Sequence, residues 1–220
     1  MTPPQTFVLP ATGAWRVRVV PNLYPALDRQ EVVVHSPGHL RSIAELDDDQ
    51  VALVAQAWQE RRRAEPAGYL HALINEGREA GSSLPHTHSQ LAWLPSEPAP
   101  EPPRRGEIVE EHGRLVAWCP WISRLPYESA IAPVDPEPDG FDSSLLPDAL
   151  QLLAELVRRL RRLEGTVPLN AWLHNDESGW RVVLLPRLSV LAGLELGAGV
   201  YINTLAPEEA AVRLRDANSR

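Results

Sequence analysis

Between Pro95 and Pro103 proline recurs so densely, with Glu97 and Glu101 interspersed, that neither a helix nor a central strand can be built there. This extended connection divides the chain, and the same order of elements is readable on both sides of it. In the first segment, Trp15-Arg16-Val17-Arg18-Val19-Val20 alternates apolar and basic residues up to Pro21-Asn22, as a half-buried strand does. Glu31-Val32-Val33-Val34-His35 is β-branched and ends at Ser36-Pro37-Gly38, and Ser42 to Glu45 has the spacing of a capping box. From Asp47 to about Ala64, the residues Val51, Leu53, Val54, Ala57 and Trp58 recur at helical intervals. Strands follow at Tyr69 to Asn75 and through Gln90 to Leu94. In the second segment, strands at Arg114 to Trp118 and Ser129 to Pro133 precede an amphipathic helix from Leu145 to Leu163. Strands at Leu169 to His174 and Trp180 to Leu185 close the series, with a short helix from Pro207 to Leu214 after them. Two strands, a long helix and two strands thus occur twice. The expected fold is α+β: two similar units, 1–103 and 104–220, each an antiparallel sheet with a long helix, packed as a pseudo-repeat.

Composition narrows the class of function. A net charge of -8 argues against coating nucleic acid, although every basic side chain is arginine and none is lysine. Cys119 is the single cysteine, so an intrachain disulfide and a four-cysteine zinc site are both excluded. No apolar run approaches about 20 residues, and Met1-Thr2-Pro3-Pro4 lacks a charged start followed by an apolar stretch. A cytoplasmic protein without a membrane or nucleic-acid partner is the expectation.

The densest chemistry lies in Leu84-Pro85-His86-Thr87-His88-Ser89-Gln90. Alternate residues of a strand share a face, so His86, His88 and Gln90 are expected to line one wall while Thr87 and Ser89 turn away. An imidazole is a competent nucleophile near neutral pH, and phosphorus is a natural electrophile for it. Upstream, Gly81-Ser82-Ser83 offers permissive backbone and two hydroxyls of the kind that approach phosphate oxygens. A His-x-His pair on a strand is equally what two metal ligands, or two satisfied polar side chains, look like. Elsewhere the candidates are weaker. Arg16 and Arg18 read as a solvated strand face, the arginines from Arg158 to Arg162 as the wet side of a helix, and Cys119 as structural; His35, His71 and His112 have no evident partner.

Several runs together resemble the galactose-1-phosphate uridylyltransferase branch of the histidine-triad superfamily. They are Val19 to Leu27 with Asn22-Leu23-Tyr24-Pro25-Ala26-Leu27, Ser36-Pro37-Gly38-His39, Asn75-Glu76-Gly77, and Gly81 to Gln90. In the second segment they continue through Cys119-Pro120-Trp121, Arg124 to Glu128, Leu185-Pro186-Arg187-Leu188, Glu195-Leu196-Gly197 and Pro207 to Ala211. The resemblance implies two histidine-triad-like units and a nucleotidyltransferase in which His88 attacks the α-phosphorus of a nucleoside diphosphate sugar. His88 would then carry the nucleotidyl group as a phosphohistidine and pass it to a sugar 1-phosphate, with UDP-glucose and a hexose 1-phosphate as the leading pair. It further implies that Gln90 hydrogen-bonds the phosphoryl oxygens and that Asn75, Ser83 and His86 complete the substrate site. Asn22 would lie near base and ribose, and two copies would pair as a homodimer. A double displacement of this kind lets one site exchange similar phosphorylated acceptors.

Departures from that branch matter as much. Many members join a Cys-x-x-Cys to two histidines, matching His39 and His86 here, to hold a zinc; residues 1 to 21 contain no cysteine, so no metal is assigned and zinc is considered only at His39 and His86. Where relatives have a second His-x-His, this chain has Gly179-Trp180-Arg181, leaving His174 as an ordinary strand histidine. Two other functions stand beside the leading one: a phosphorylase of ADP-sugars or dinucleoside polyphosphates, and a nucleotide-binding module without catalysis.

Overall fold

In the computed structural model, residues 4–101 and 104–219 are described; the chain start read above for a leader (residues 1–3), Pro102 and Pro103 of the connection, and Arg220 lie outside them. Ten strands make one antiparallel sheet. They are β1 (Phe7–Leu9), β2 (Val17–Pro21), β3 (Gln30–Val34), β4 (Tyr69–Glu76), β5 (His88–Leu94), β6 (Gly106–His112), β7 (Leu115–Pro120), β8 (Ser129–Pro133), β9 (Leu169–His174) and β10 (Arg181–Pro186). Their spatial order is β1-β2-β3-β5-β4-β9-β10-β8-β7-β6. The first five strands therefore form one half and the last five the other. The halves join through β4 and β9, where Leu73 pairs with Trp172 and Asn75 with Asn170.

Helices α1 (Asp48–Ala64) and α2 (Leu146–Glu164) pack against each other and against the sheet in a continuous apolar core. Asp47 caps α1 by accepting from the Gln50 amide at 2.7 Å, with Asp48 and Asp49 in the first turn and Arg61 to Arg63 in the last, matching the helix dipole. The core takes the alternate residues of each strand, among them Val17, Val19, Val33, Ile74, Leu91, Leu173 and Val182. The other set, with Asn75, Gln90 and Asn170, faces away from the helices. Among the described residues, no helix is long and apolar enough to cross a membrane.

The strands and long helices anticipated from periodicity are present, while β1, β6 and the short helix α3 (Gly193–Ala198) were not anticipated. β1 and β6 are the two edges of the sheet. An edge strand needs no apolar face of its own, and β6 carries Glu107, Glu110 and Glu111, which erase the alternation. The expected terminal helix is α4 (Pro207–Asp216). The proline-dense connection is irregular through Glu101, which accepts from Trp172 Nε1 at 3.1 Å and pairs with Arg124 at 3.1 Å. This lays the connection against the second half of the sheet.

Helix α1 is also tied to the sheet by charge. Arg61 reaches from its last turn to grip buried Glu31 of β3 with both Nε, at 2.8 Å, and Nη2, at 2.9 Å. Removing Arg61 takes away both of its bonds and leaves the buried carboxylate to Arg29 alone, whose Nη2 stands 3.2 Å from Glu31 Oε1. Arg61→Ala is expected to lower the unfolding free energy by about 1.5 to 3 kcal/mol in denaturant titration; a loss within the range of a surface substitution would show that Arg29 alone satisfies Glu31.

Candidate active site

Strand β5 begins at His88, not at His86, and this changes what the three alternating residues do. His86 sits in the turn before the strand and spends its ring on the Ser36 carbonyl, donating from Nε2 at 2.9 Å. Its backbone carbonyl in turn accepts from His88 Nδ1 at 2.8 Å. A carbonyl can only accept, so the proton of neutral His88 resides on Nδ1 and the lone pair on Nε2. Burial, foremost, holds the His88 ring below its ordinary pKa, so the neutral form dominates at pH 7. His88 is 5% exposed; Nε2 makes no hydrogen bond, and it is not one of the nitrogens sealed from solvent without a partner. The ring is thus a fixed imidazole whose lone pair remains reachable.

The strand under it is held from the core side. Thr87 and Ser89 do turn away from His88, as alternation requires, and both meet the buried ring of His35: Thr87 Oγ1 lies 3.0 Å from Nδ1 and Ser89 Oγ 3.0 Å from Nε2. Trp58 Nε1 donates to Ser89 Oγ at 2.8 Å. His35, which had no evident partner in the sequence, therefore clamps the residues on either side of His88. Burial keeps its pKa well below the ordinary value, so it acts as a neutral donor and acceptor.

Two carboxamides, Gln90 and Asn75, share the open face of the sheet with His88, and each has its oxygen end occupied. Gln30 Nε2 donates to Gln90 Oε1. Asn170 Nδ2 donates to Asn75 Oδ1 at 2.8 Å and to the Ala80 carbonyl at 2.8 Å. Both amides are left with their N–H groups as the free ends, the arrangement an anionic oxygen requires. Continuing the β4–β5 register, in which Leu73 pairs with Gln90, places Asn75 opposite His88, so His88, Asn75 and Asn170 stand in one row across three strands. The loop with Ser82 and Ser83 follows at once. Gly81 ends the Arg78–Ala80 turn in the left-handed region, with φ +86°, and a β-carbon there would stand 3.9 Å from Asn75 Nδ2. Glycine is thus what lets the loop turn close beside Asn75.

Asn22 lies on the far side of β3, just beyond β2. Its Oδ1 accepts from the Tyr24 amide at 3.0 Å, and its own amide donates to the Gln30 carbonyl at 2.9 Å. Gln30 Oε1 also accepts from the Ala26 amide at 2.9 Å, so one glutamine ties the 22–26 loop to Gln90. Of the residues named from sequence, His88, Gln90 and Asn75 are brought to one face, Asn22 joins through Gln30, and His86 serves through its carbonyl; Gly81 approaches Asn75, whereas Ser83 lines a separate hollow with Arg41, Arg78 and Pro168. Sequence reasoning missed His35, Gln30, Asn170 and Arg187, whose Nη1 donates to Asn170 Oδ1 at 3.1 Å. Arg187 was visible within Leu185-Pro186-Arg187-Leu188; the others carry no motif signal and emerge only from strand pairing.

A zinc does not fit the residues present. His39 and His86 stand edge to face with ring centroids 6.0 Å apart, and His86 Nε2 is committed to Ser36. Two nitrogens fall short of four ligands, and among the described residues no cluster of three or more histidine, cysteine, aspartate or glutamate side chains is placed to hold a metal. His174 bonds Asp176 at 3.1 Å, and burial pushes the Cys119 thiol up to about 12, as fits a structural cysteine.

Residues 25–98 match the family model described as galactose-1-phosphate uridyl transferase, N-terminal domain. An ADP-glucose phosphorylase of Arabidopsis thaliana is 24% identical across 92% of this chain and 74% of its own length. A galactose-1-phosphate uridylyltransferase of Thermotoga maritima is 24% identical across 84% of this chain and 73% of its own. The fold is shared with the crystal structure of an Arabidopsis thaliana ADP-glucose phosphorylase with bound ADP-glucose, at TM-score 0.88 and 23% identity over 98% of this chain and 87% of that one. A uridylyltransferase structure aligns at TM-score 0.83 and 23% identity over 96% and 87%. The resemblance read from the motifs is borne out: the first segment matches that family model, and the chain is similar along most of its length to an ADP-glucose phosphorylase and to galactose-1-phosphate uridylyltransferases.

Buried imidazoles also set a pH dependence. His71, on β4, is held at about 4 by burial first and by nearby His174 second, and burial likewise lowers His35 and His88. Each binds a proton more readily unfolded than folded, so stability is intact above the unfolded value of about 6.5 and falls as pH drops through that value toward 4. Urea unfolding from pH 7 to pH 4.5 should show this loss, with a shallower slope in His71→Gln; an identical slope in the variant would remove His71 from the account.

Proposed function

We propose that the chain is a nucleotidyltransferase in which His88 Nε2 takes a nucleoside monophosphate from a nucleoside diphosphate sugar and hands it to a phosphorylated acceptor. The observation that carries this reading is the Nδ1–H bond to the His86 carbonyl, because it leaves the outer nitrogen unprotonated beside the amide donors of Gln90 and Asn75. In the first displacement the Nε2 lone pair forms a bond to the α-phosphorus while the bond to the β-phosphate oxygen breaks; its electron pair leaves with the sugar phosphate. His88 keeps its Nδ1 proton throughout, so the phosphorylated ring carries a positive charge that the His86 carbonyl faces. In the second displacement an acceptor phosphate oxygen attacks, the Nε2–phosphorus bond breaks and the pair returns to the ring. Neither step takes a proton from His88. The N–H groups of Gln90 and Asn75 meet the charge that grows on the phosphoryl oxygens, and the exposed hydroxyl of Ser83, two residues past Gly81, is the further donor the proposal enlists.

UDP-glucose with a hexose 1-phosphate remains the leading pair. A second reading, phosphorolysis of an ADP-sugar by inorganic phosphate, is supported by the likeness to the Arabidopsis thaliana phosphorylase across 92% of this chain. Transfer is favoured over hydrolysis because Gln90 stands where the shorter triad proteins have a third histidine. The strand order of the two halves, with three strands, a helix and two strands in each, supports reading 1–103 and 104–220 as two histidine-triad-like units. We assign the reaction to the cytoplasm, in keeping with the lone, buried Cys119. A homodimer is supported by the exposed Leu194, Leu196, Val200, Tyr201 and Ile202.

Incubation with α-phosphorus-labelled UDP-glucose and ADP-glucose should leave an acid-labile, base-stable label on the protein, chased off by hexose 1-phosphate or by inorganic phosphate according to the acceptor. His88→Ala should take no label. An unlabelled native protein with both donors would leave the binding-module reading in its place.

A further inference from the structure

Arg187 follows β10 directly, its amide donating to the Pro168 carbonyl at 2.7 Å, and its side chain returns to the open face to meet Asn170. Nη1 is bound there, Nε is shut off from solvent with no partner, and among the described residues no carboxylate pairs with this guanidinium. A half-buried cation without a counter-charge is costly unless an anion arrives to complete it. Its place in the row says which anion. From β5 to β9 is two strand spacings, so the Asn170 that Arg187 grips has its backbone about 10 Å from that of His88. The Asn22 loop lies on the opposite side of His88, beyond β3.

A nucleotide laid across these strands, with its base over the Asn22 side and its α-phosphorus at His88, extends its next phosphate toward β9. We infer that Arg187 binds the phosphate that is not transferred: the β-phosphate of the donor as it departs, and the acceptor phosphate as it enters. When the bond from α-phosphorus to the bridging oxygen breaks, that oxygen keeps the electron pair and its phosphate gains one negative charge. The guanidinium meets that charge directly, while Asn170 holds the guanidinium in place and passes its own donors to Asn75 and the Ala80 carbonyl. Arg18 is the control within the same row. It pairs with Val34, which pairs with His88, and its Nε is likewise shut off without a hydrogen-bond partner, but its guanidinium stacks on Trp15 at 4.7 Å and stands on the Asn22 side of His88, away from where the departing phosphate is placed.

This assignment rests on the proposed orientation of the nucleotide, and calorimetry with ADP, AMP, UDP and UMP separates it from the transfer reaction. In the native protein the diphosphate should bind more tightly than the monophosphate. Arg187→Ala should cut diphosphate affinity by about tenfold or more, the scale of one charge-assisted hydrogen bond, and leave monophosphate affinity unchanged. Arg187→Lys should recover part of the loss and Arg187→Gln none, with circular dichroism and urea unfolding confirming the fold of each; Arg18→Ala should not alter the diphosphate-to-monophosphate ratio. Equal losses for both ligands in Arg187→Ala would show that Arg187 acts only by holding Asn170, and no loss would remove it from the site; either overturns the inference. Labelling of His88 together with an unchanged diphosphate preference in Arg187→Ala refutes the Arg187 assignment alone. A native protein that takes no label yet loses its diphosphate preference in Arg187→Ala refutes the transfer reaction alone.

Discussion

A single hydrogen bond decides the chemistry this fold can do: the Nδ1 proton of His88 on the carbonyl of His86, at 2.8 Å. Imidazole has two nitrogens of similar basicity, and an unconstrained ring divides its proton between them. Fixing the proton on the inner nitrogen leaves the outer one as a lone pair of defined direction. Burial then favours the neutral ring, since a charged one would lose its hydration. The bond is short-range and local, yet it holds only if the turn from His86 into β5 is itself rigid. That rigidity comes from His86 on the Ser36 carbonyl and from His35, which grips Thr87 and Ser89 below.

The same logic runs across the sheet. Neutral amides can offer a phosphate either a donor or an acceptor, and in isolation nothing chooses. Here Gln30 occupies the oxygen of Gln90 and Asn170 occupies the oxygen of Asn75, so both turn their N–H ends outward. Antiparallel pairing brings these groups from β3, β4, β5 and β9 into one patch, which is why the site straddles the junction of the two halves. The helices lie on the other face and carry the core, leaving the open face free of the packing that a substrate would have to displace.

The strands that line the site and the two long helices were legible because their faces differ in polarity: the apolar spacing of α1 and the β-branched β3 translate directly into buried sides. The candidate nucleophile was legible because His-x-His-x-Gln packs unusual chemistry into five residues. What could not be read was pairing. Nothing local to Asn170 says that it will lie opposite Asn75, 95 residues away, and nothing local to His35 says that its ring will close on Thr87 and Ser89. The expectation that His86 shares the wall of His88 assumed a strand two residues longer than the one that forms. The turn at His86 converts a second imidazole on the wall into the carbonyl that orients the first.

The most direct measurement is nitrogen-15 NMR of the imidazole rings, with His88→Ala to assign the His88 signals. At neutral pH the shifts should report a neutral ring protonated on Nδ1 and bare on Nε2, and a nucleoside diphosphate sugar should move the Nε2 signal as phosphorus bonds to it. A ring protonated on Nε2, or an imidazolium at pH 7, would contradict the account at its root.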